Sequence, residues 1–297
     1  MIKITFLGTS DSIPSSKRNH TAILLSCEGE NILIDCGEGT QRQFRKMGLN
    51  PCKITKILIT HWHADHVIGL IGLIKTLDIS GYGKTLFIYG PRGIKNHMEN
   101  LFKTFGNVEN YRIIIQEVDG KFFETKDFYL ESERMTHGVL CNSYSFVKKG
   151  KIKIDKNKLK KFKLKEGAHL KQLKEGKNIK YNGNIFKAKD LTFAEDAKKI
   201  SFVLDTSMNK NIISFVKNSD LLVCEASFSS ELESKAKEYK HLTAKQAGEI
   251  AKKAKAKKLI LTHLSQRYEN DTGIILNEAK KVFKNVSLVK DLDVVEV

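Results

Sequence analysis

The densest chemistry in the chain is Thr60-His61-Trp62-His63-Ala64-Asp65-His66, three imidazoles and a carboxylate within six residues. Such a cluster has no packing value on a surface, whereas neutral imidazole nitrogens and carboxylate oxygens are the donors a zinc ion prefers. An apolar run at 56–60 precedes it and an apolar stretch with helical spacing at 67–77 follows it. In an extended chain His61, His63 and Asp65 project to one side and His66 to the other, so a coiled loop here can divide its ligands between two adjacent metals.

The elements that must position such a loop are short runs rich in Ile, Leu and Val at 31–36, 56–60, 86–89, 200–204, 221–224 and 258–262, which read as strands. Most lack strict alternation, as strands covered on both faces do. Helical spacing appears between them at 40–47, 67–77, 93–105, 209–217, 244–254 and 274–282, so the expected architecture is sheet layers covered by helices. Many strands run straight into a potential ligand or acid: Asp35, His61, His137, Asp205, Glu225 and His263. Strand ends of an open α/β architecture gather along one edge, where loops present side chains over a rigid sheet. Two halves, 1–147 and 200–297, are expected to share that edge.

Lys and Arg total 51 against 34 Asp and Glu, a net +17 that suits a polyanion such as RNA or an anionic membrane surface, although a lysine-rich proteome would give the same imbalance. Much of it lies in 148–199, with eighteen Lys, no Arg and six acids, a net of 18 − 6 = +12. Spaced apolar residues such as Leu159, Leu164, Leu170 and Leu173 make this an ordered or semi-ordered protrusion, the alternative being a solvated lysine-rich linker. The five cysteines are scattered and form no C-x-x-C pair, so neither a disulfide framework nor a zinc ribbon is suggested. The N-terminus alternates like a strand, and no run reaches about 18 apolar residues, so a cytoplasmic protein without membrane contact is expected.

H-x-H-x-D-H after a strand resembles the signature of the metallo-β-lactamase superfamily, and other stretches resemble its tRNA 3′-processing branch, the tRNase Z family. They are Phe6-Leu-Gly-Thr-Ser10, Leu33-Ile-Asp-Cys-Gly-Glu-Gly-Thr-Gln41, His137, Leu204-Asp-Thr206, Glu225-Ala-Ser-Phe228, His241-Leu-Thr243 and Leu261-Thr-His-Leu-Ser-Gln-Arg-Tyr268. The resemblance implies an α/β fold, an αββα sandwich, as one metallo-β-lactamase-like domain over 1–297 with 148–199 inserted as a basic arm that grips the tRNA elbow. It implies two zinc ions per subunit, one held by His61, His63, His137 and Asp205, the other by Asp65, His66, Asp205 and His263. The activity implied is endonucleolytic removal of the 3′ trailer from precursor tRNA by a homodimer, leaving a 3′-hydroxyl on the tRNA and a 5′-phosphate on the trailer. Asp65 would also serve as general base. His241, placed before a helix opened by the capping box Thr243-x-x-Gln246, would donate the proton to the leaving oxygen, with Glu225 orienting it. Asp35 would support the metal site from behind its ligands.

The chain departs from the family pattern at four places: Cys224 where His precedes the glutamate, Leu204 for Gly, Ser16 for Lys within Pro14-Ser-Ser-Lys-Arg-Asn19, and Ala168 for Pro after Gly167. Two rival readings remain at this point. A small-substrate hydrolase of the same fold would keep the ligands, and the lysine-rich arm argues against it. A non-catalytic RNA-binding module would show gaps in the ligand set, and all seven positions are filled.

Overall fold

The computed structural model describes residues 1–165 and 167–297. The chain begins with the antiparallel meander β1 (Lys3–Gly8), β2 (Ala22–Cys27) and β3 (Glu30–Ile34). After helix α1 (Thr40–Lys46) the sheet continues in parallel through β4 (Lys56–Leu58), with α2 (Ala64–Val67) and α3 (Leu70–Ile79) leading on to β5 (Leu86–Gly90). Helix α4 (Ile94–Phe105) then crosses to β6 (Ile113–Glu117), also parallel.

A second sheet starts with β7 (Gly120–Glu124), β8 (Phe128–Thr136) and β9 (Leu140–Lys148). Within the following segment lie β10 (Lys151–Ile154), α5 (Lys156–Lys161), α6 (Leu170–Lys174), β11 (Ile179–Tyr181), β12 (Asn184–Phe186), α7 (Ala188–Leu191) and β13 (Thr192–Glu195). The second sheet resumes with β14 (Lys198–Val203), α8 (Lys210–Phe215), β15 (Leu221–Glu225), α9 (Glu233–Tyr239), α10 (Ala244–Lys253), β16 (Leu259–Thr262), α11 (Gly273–Val282) and β17 (Val286–Leu288). Finally β18 (Val294–Glu296) returns to pair antiparallel with β1. The sheet orders are β18-β1-β2-β3-β4-β5-β6 and β17-β16-β15-β14-β9-β8-β7.

Why these layers form is visible in the burial. One apolar cluster joins β1 to β5 with α1, α3 and α4 through Leu33, Ile57, Ile88, Leu73 and Met98, and another joins β14 to β17 with α8, α10 and α11 through Val203, Leu222, Leu261, Ile250 and Ile275. The remaining faces meet each other: the hydroxyl of Tyr144 on β9 donates to the Ile59 carbonyl beyond β4 at 2.7 Å, and the Asn142 N–H donates to Thr60 at 2.9 Å. Tyr89 and Phe122 pack between the sheets at 4.9 Å. Strands buried on both faces, such as β15 and β16, are the continuous apolar runs of the sequence. The result is an αββα sandwich.

By packing, the chain forms two compact units, one of Met1–Phe123, Leu130–Phe146 and Lys199–Val297, the other of Glu124–Tyr129 and Val147–Lys198. The second has a core of its own, with Leu159, Leu164, Leu170, Leu173, Ile179, Ala188 and Leu191 all buried. Antiparallel pairs β10/β13 and β11/β12 frame it, and Asp155 caps α5 by accepting from the Asn157 and Lys158 N–H groups. Lysines of this unit pair locally, Lys151 with Asp127 at 2.9 Å and Lys153 with Glu195 at 2.8 Å. No helix among the described residues is long and apolar enough to cross a membrane.

The helix expected at 67–77 starts earlier and is broken: α2 begins inside the histidine motif and α3 follows after Gly69. The break has a steric cause. Gly69 donates its N–H to Cys36 at 3.0 Å, and a Cβ on it would lie 2.1 Å from the Gly37 carbonyl oxygen. No side chain fits between these two strands of backbone.

Candidate metal centre

Sheet geometry brings the predicted residues together along one edge. Asp35 follows β3, His61 lies three residues beyond β4, His137 follows β8, Asp205 lies two beyond β14, Glu225 ends β15 and His263 follows β16. Asp35, Asp205 and His263 leave their strands with φ of 57°, 45° and 56°, a left-handed turn that costs a non-glycine residue about 1–3 kcal/mol and that clusters at functional sites. At each, the turn lifts a candidate ligand or its support off the strand end.

Within 60–66 the chain stays extended only to His63 (φ −87°, ψ 152°) and turns helical at Ala64. Asp65 therefore does not share a side with His61 and His63, as an extended chain would have it; it groups with His66. Two donor sets result, His61, His63, His137 and Asp205 in one and Asp65, His66, Asp205 and His263 in the other, with the donor atoms of each set within 4.8 Å of one another and Asp205 common to both.

In the first set His61 Nε2 is 3.0 Å and His137 Nε2 3.2 Å from His63 Nδ1, while Asp205 Oδ2 stands 3.6 Å from His61 and 3.8 Å from His137. In the second, His66 Nε2 lies 3.2 Å from Asp65 Oδ2 and 3.4 Å from Asp205 Oδ2, and His263 Nε2 lies 3.1 Å from Asp205 Oδ1. Yet His66 Nε2, His263 Nε2 and Asp205 Oδ1 are buried and aligned to hydrogen-bond nothing. Buried polar atoms are rarely left so. Lone pairs aimed at a shared point and not at each other are what a divalent cation needs, and imidazole with carboxylate is a donor set for an ion of intermediate softness.

The rear of four of the five rings is held. His66 Nδ1 meets Asp35 Oδ2 at 2.7 Å, His61 Nδ1 meets Thr60 Oγ1 at 3.0 Å, His137 Nδ1 meets the Lys240 carbonyl at 3.0 Å and His263 Nδ1 meets Ser227 Oγ at 2.9 Å. These contacts turn four Nε2 atoms inward and fix the tautomer. Asp35 is itself fully buried and also accepts from the Thr60 N–H and hydroxyl, each at 2.7 Å.

Charge follows from burial and neighbours. Burial, helped by the neighbouring His66, His137 and His63 against Asp205, pushes the His61 pKa well down, which keeps the ring neutral, the form in which imidazole can hold a metal. For His66 burial acts the same way, but the carboxylates of Asp205 and Asp35 outweigh it and raise the pKa well above the ordinary value. Asp205 is the reverse: burial opposes its ionisation, and His263, His66 and His61 overcome that to hold it well below the usual carboxylate range. A cation held here would take the place of the proton on His66, so its binding would release protons.

Above the two sets, His241 Nδ1 lies 3.0 Å from Glu225 Oε2, with its ring centroid 5.1 Å from that of His137 and 5.6 Å from that of His263. Burial lowers its pKa, but Glu225 more than compensates and brings it up to about 9. Glu225 is fully buried and also accepts from the Thr206 N–H at 2.7 Å and the Ser227 hydroxyl at 2.7 Å. Two residues past His241 the capping box is complete, Thr243 Oγ1 accepting from the Gln246 N–H and Gln246 Oε1 accepting from the Thr243 N–H.

Comparison with known proteins agrees with this arrangement. A ribonuclease Z of Bacillus cereus (strain ZK / E33L) is 37% identical over 302 residues, covering 98% of each chain, and one of Methanothermobacter thermautotrophicus is 37% identical over 299 residues, covering 100% of this chain and 97% of its own. The chain belongs to the ribonuclease Z family. A family model described as "Anti-Pycsar protein Apyc1" also matches residues 2–283. Among solved structures, human tRNase Z, short form, superposes with a TM-score of 0.72 at 26% identity, covering 99% of both chains. A metallo-β-lactamase fold protein of Bacillus subtilis reaches the same TM-score at 21% identity and covers 100% of this chain and 99% of its own, which speaks for the fold alone.

Sequence reasoning missed Thr60, Ser227 and the Lys240 carbonyl as supports, because nothing in their type or spacing marks them. Arg18 is buried and used up in structure, its Nη1 donating to Thr9 Oγ1 and to the Val289 carbonyl, each at 2.7 Å, so it anchors the 14–19 loop. Ser16 and Lys17 of that loop are exposed. Cys224 and Leu204 are fully buried packing residues next to Glu225 and Asp205, and Ala168 is exposed.

Proposed function

We propose that this protein is a zinc-dependent endoribonuclease that removes the 3′ trailer from precursor tRNA. The observation that carries the reading is the pair of donor sets sharing Asp205, in a chain 37% identical to ribonucleases Z along its whole length. Two zinc ions per subunit suit the donors, with His61, His63, His137 and Asp205 holding one and Asp65, His66, Asp205 and His263 the other. When bound, such ions make water a nucleophile near neutral pH and offset charge on the phosphodiester.

The chain's own residues supply the rest. Asp65, a buried member of the second set, orients the attacking water and accepts its proton. Oxygen attacks phosphorus, the bond from phosphorus to the 3′-oxygen of the tRNA breaks, and His241 gives its proton to that oxygen. Glu225, buried behind His241, keeps the ring protonated and aimed. A 3′-hydroxyl remains on the tRNA and a 5′-phosphate on the trailer.

The lysines of 148–199 suit contacts to the tRNA backbone far from the cut, which position without reading sequence. Such a clamp lets remote binding energy place the scissile bond at the metals. We further propose that the enzyme works in the cytoplasm as a homodimer. A smaller substrate on the same ligands is the second reading, since the two donor sets would serve it equally. Incubating metal-loaded protein with a 3′-extended precursor tRNA and with a small phosphodiester separates the two: hydrolysis of the small ester alone would overturn the tRNA reading.

A further inference from the structure

A cavity of about 520 Å³ opens directly beside His137. Its walls are the loop that follows β5, at Pro91 and Arg92, and the β8–β9 turn with its flanks, from Arg134 to Asn142. Because His137 belongs to a donor set and also lines this cavity, the cavity adjoins the candidate metal centre.

The cavity's chemistry is one-sided. Its lining carries two guanidinium groups, Arg92 and Arg134, and no carboxylate, whereas two other surface cavities include Glu233 and Glu249 in one and Glu38 in the other. Among the described residues neither guanidinium has an acid or a hydrogen-bond partner. Arg18, by contrast, is buried and bonded through Nη1 to Thr9 and the Val289 carbonyl. An unpaired guanidinium fork is shaped to take two phosphate oxygens at once. Beside the arginines, Val139 and Leu140 stand 40% and 52% exposed, an apolar surface that folding leaves uncovered. Anionic and apolar demands met side by side describe a nucleotide, with a phosphate for the arginines and a flat base for the aliphatic wall.

We infer that this cavity is a subsite for the cleaved RNA strand, in which Arg92 and Arg134 hold a backbone phosphate next to the scissile one and Val139 and Leu140 receive the adjoining base. The inference rests on the reading that the centre cleaves RNA. It adds a fixed point for the strand close to the metals, besides the remote one proposed for the lysines of 148–199.

The test is steady-state cleavage of a 3′-extended precursor tRNA carrying a single neutral methylphosphonate at each flanking phosphate in turn, by wild type and by Arg92→Gln/Arg134→Gln. Both arginines are exposed, so the variant folds and loads metal as wild type does, which melting and metal analysis check. On unmodified RNA the variant should show KM raised about tenfold or more with kcat retained, as expected for loss of charge-assisted contacts. One methylphosphonate position should slow wild type by a similar factor and the variant not at all. The salt dependence of kcat/KM should flatten by about 0.7 in slope per lost contact. A variant that cleaves as wild type, or that loses additively with every methylphosphonate, would overturn the subsite. Intact unmodified precursor with wild type would instead sink the cleavage reading, and that arm is read first.

Discussion

Asp35→Asn removes no volume and touches no proposed ligand position, yet it should damage metal binding. Asp35 accepts three hydrogen bonds at 2.7 Å, from the Thr60 N–H onto Oδ1 and from the Thr60 hydroxyl and His66 Nδ1 onto Oδ2. An amide keeps one acceptor oxygen and puts an NH₂ where the other was. If the oxygen stays with the Thr60 N–H, the NH₂ faces the Thr60 hydroxyl and His66 Nδ1. The His66 ring then relieves the clash by moving its proton to Nε2, the atom proposed to bind the cation. Losing hydrogen bonds to a charged group costs about 1.5–3 kcal/mol each before relaxation. Partners behind metal ligands are typically worth 10–100-fold in affinity, or about 1.4–2.7 kcal/mol. The expected result is a dissociation constant raised about 10–100-fold for the ion held by the His66 set, with the His61 set less affected. Competition of metal-free protein against a chromophoric chelator reads both ions in one titration. Wild-type affinity at both sites would refute the claim that Asp35 sets the His66 tautomer.

Three further outcomes follow from the same geometry. Gly69→Ala puts a Cβ 2.1 Å from the Gly37 carbonyl, so the denaturant midpoint should fall by the equivalent of about 1–3 kcal/mol or more, and an unshifted midpoint would show that the two backbones can part freely. Thr243→Ala removes the side-chain half of the α10 capping box and should cost about 1 kcal/mol of stability; a melt identical to wild type would mean the box contributes nothing. Stripping metal with a chelator should lower the melting temperature, by the equivalent of about 4 kcal/mol where metal had stood at 1,000 times its dissociation constant, and restoring zinc should reverse it. Equal melting with and without zinc would contradict cation binding by the buried donors.

Much of the fold could be read in the sequence, for a physical reason: strands buried on both faces are unbroken apolar runs. The runs at 31–36, 56–60, 86–89, 200–204, 221–224 and 258–262 correspond to β3, β4, β5, β14, β15 and β16 within a few residues. Strand β9 escaped because its buried residues include Asn142, Ser143 and Ser145, made tolerable by bonds such as Asn142 Nδ2 to the Val118 carbonyl at 2.9 Å and Ser145 to Ser201 at 2.8 Å. A hydropathy pattern cannot anticipate a hydrogen bond to a distant strand. The left-handed turns at Asp35, Asp205 and His263 were equally invisible, since no glycine marks them. The histidine motif announced its chemistry through residue type alone, but the division of its ligands depended on where extended chain gives way to helix. Supports such as Ser227 come from loops remote in sequence from the ring they hold, and only the folded chain reveals them.

The most direct measurement is cleavage of a 3′-extended precursor tRNA by zinc-loaded wild type and Asp65→Ala, with an unfolded RNA of equal length alongside. A single cut just after the discriminator base, absent from the unfolded RNA and lost in Asp65→Ala, is the predicted result. An intact precursor with both metal positions filled would contradict it.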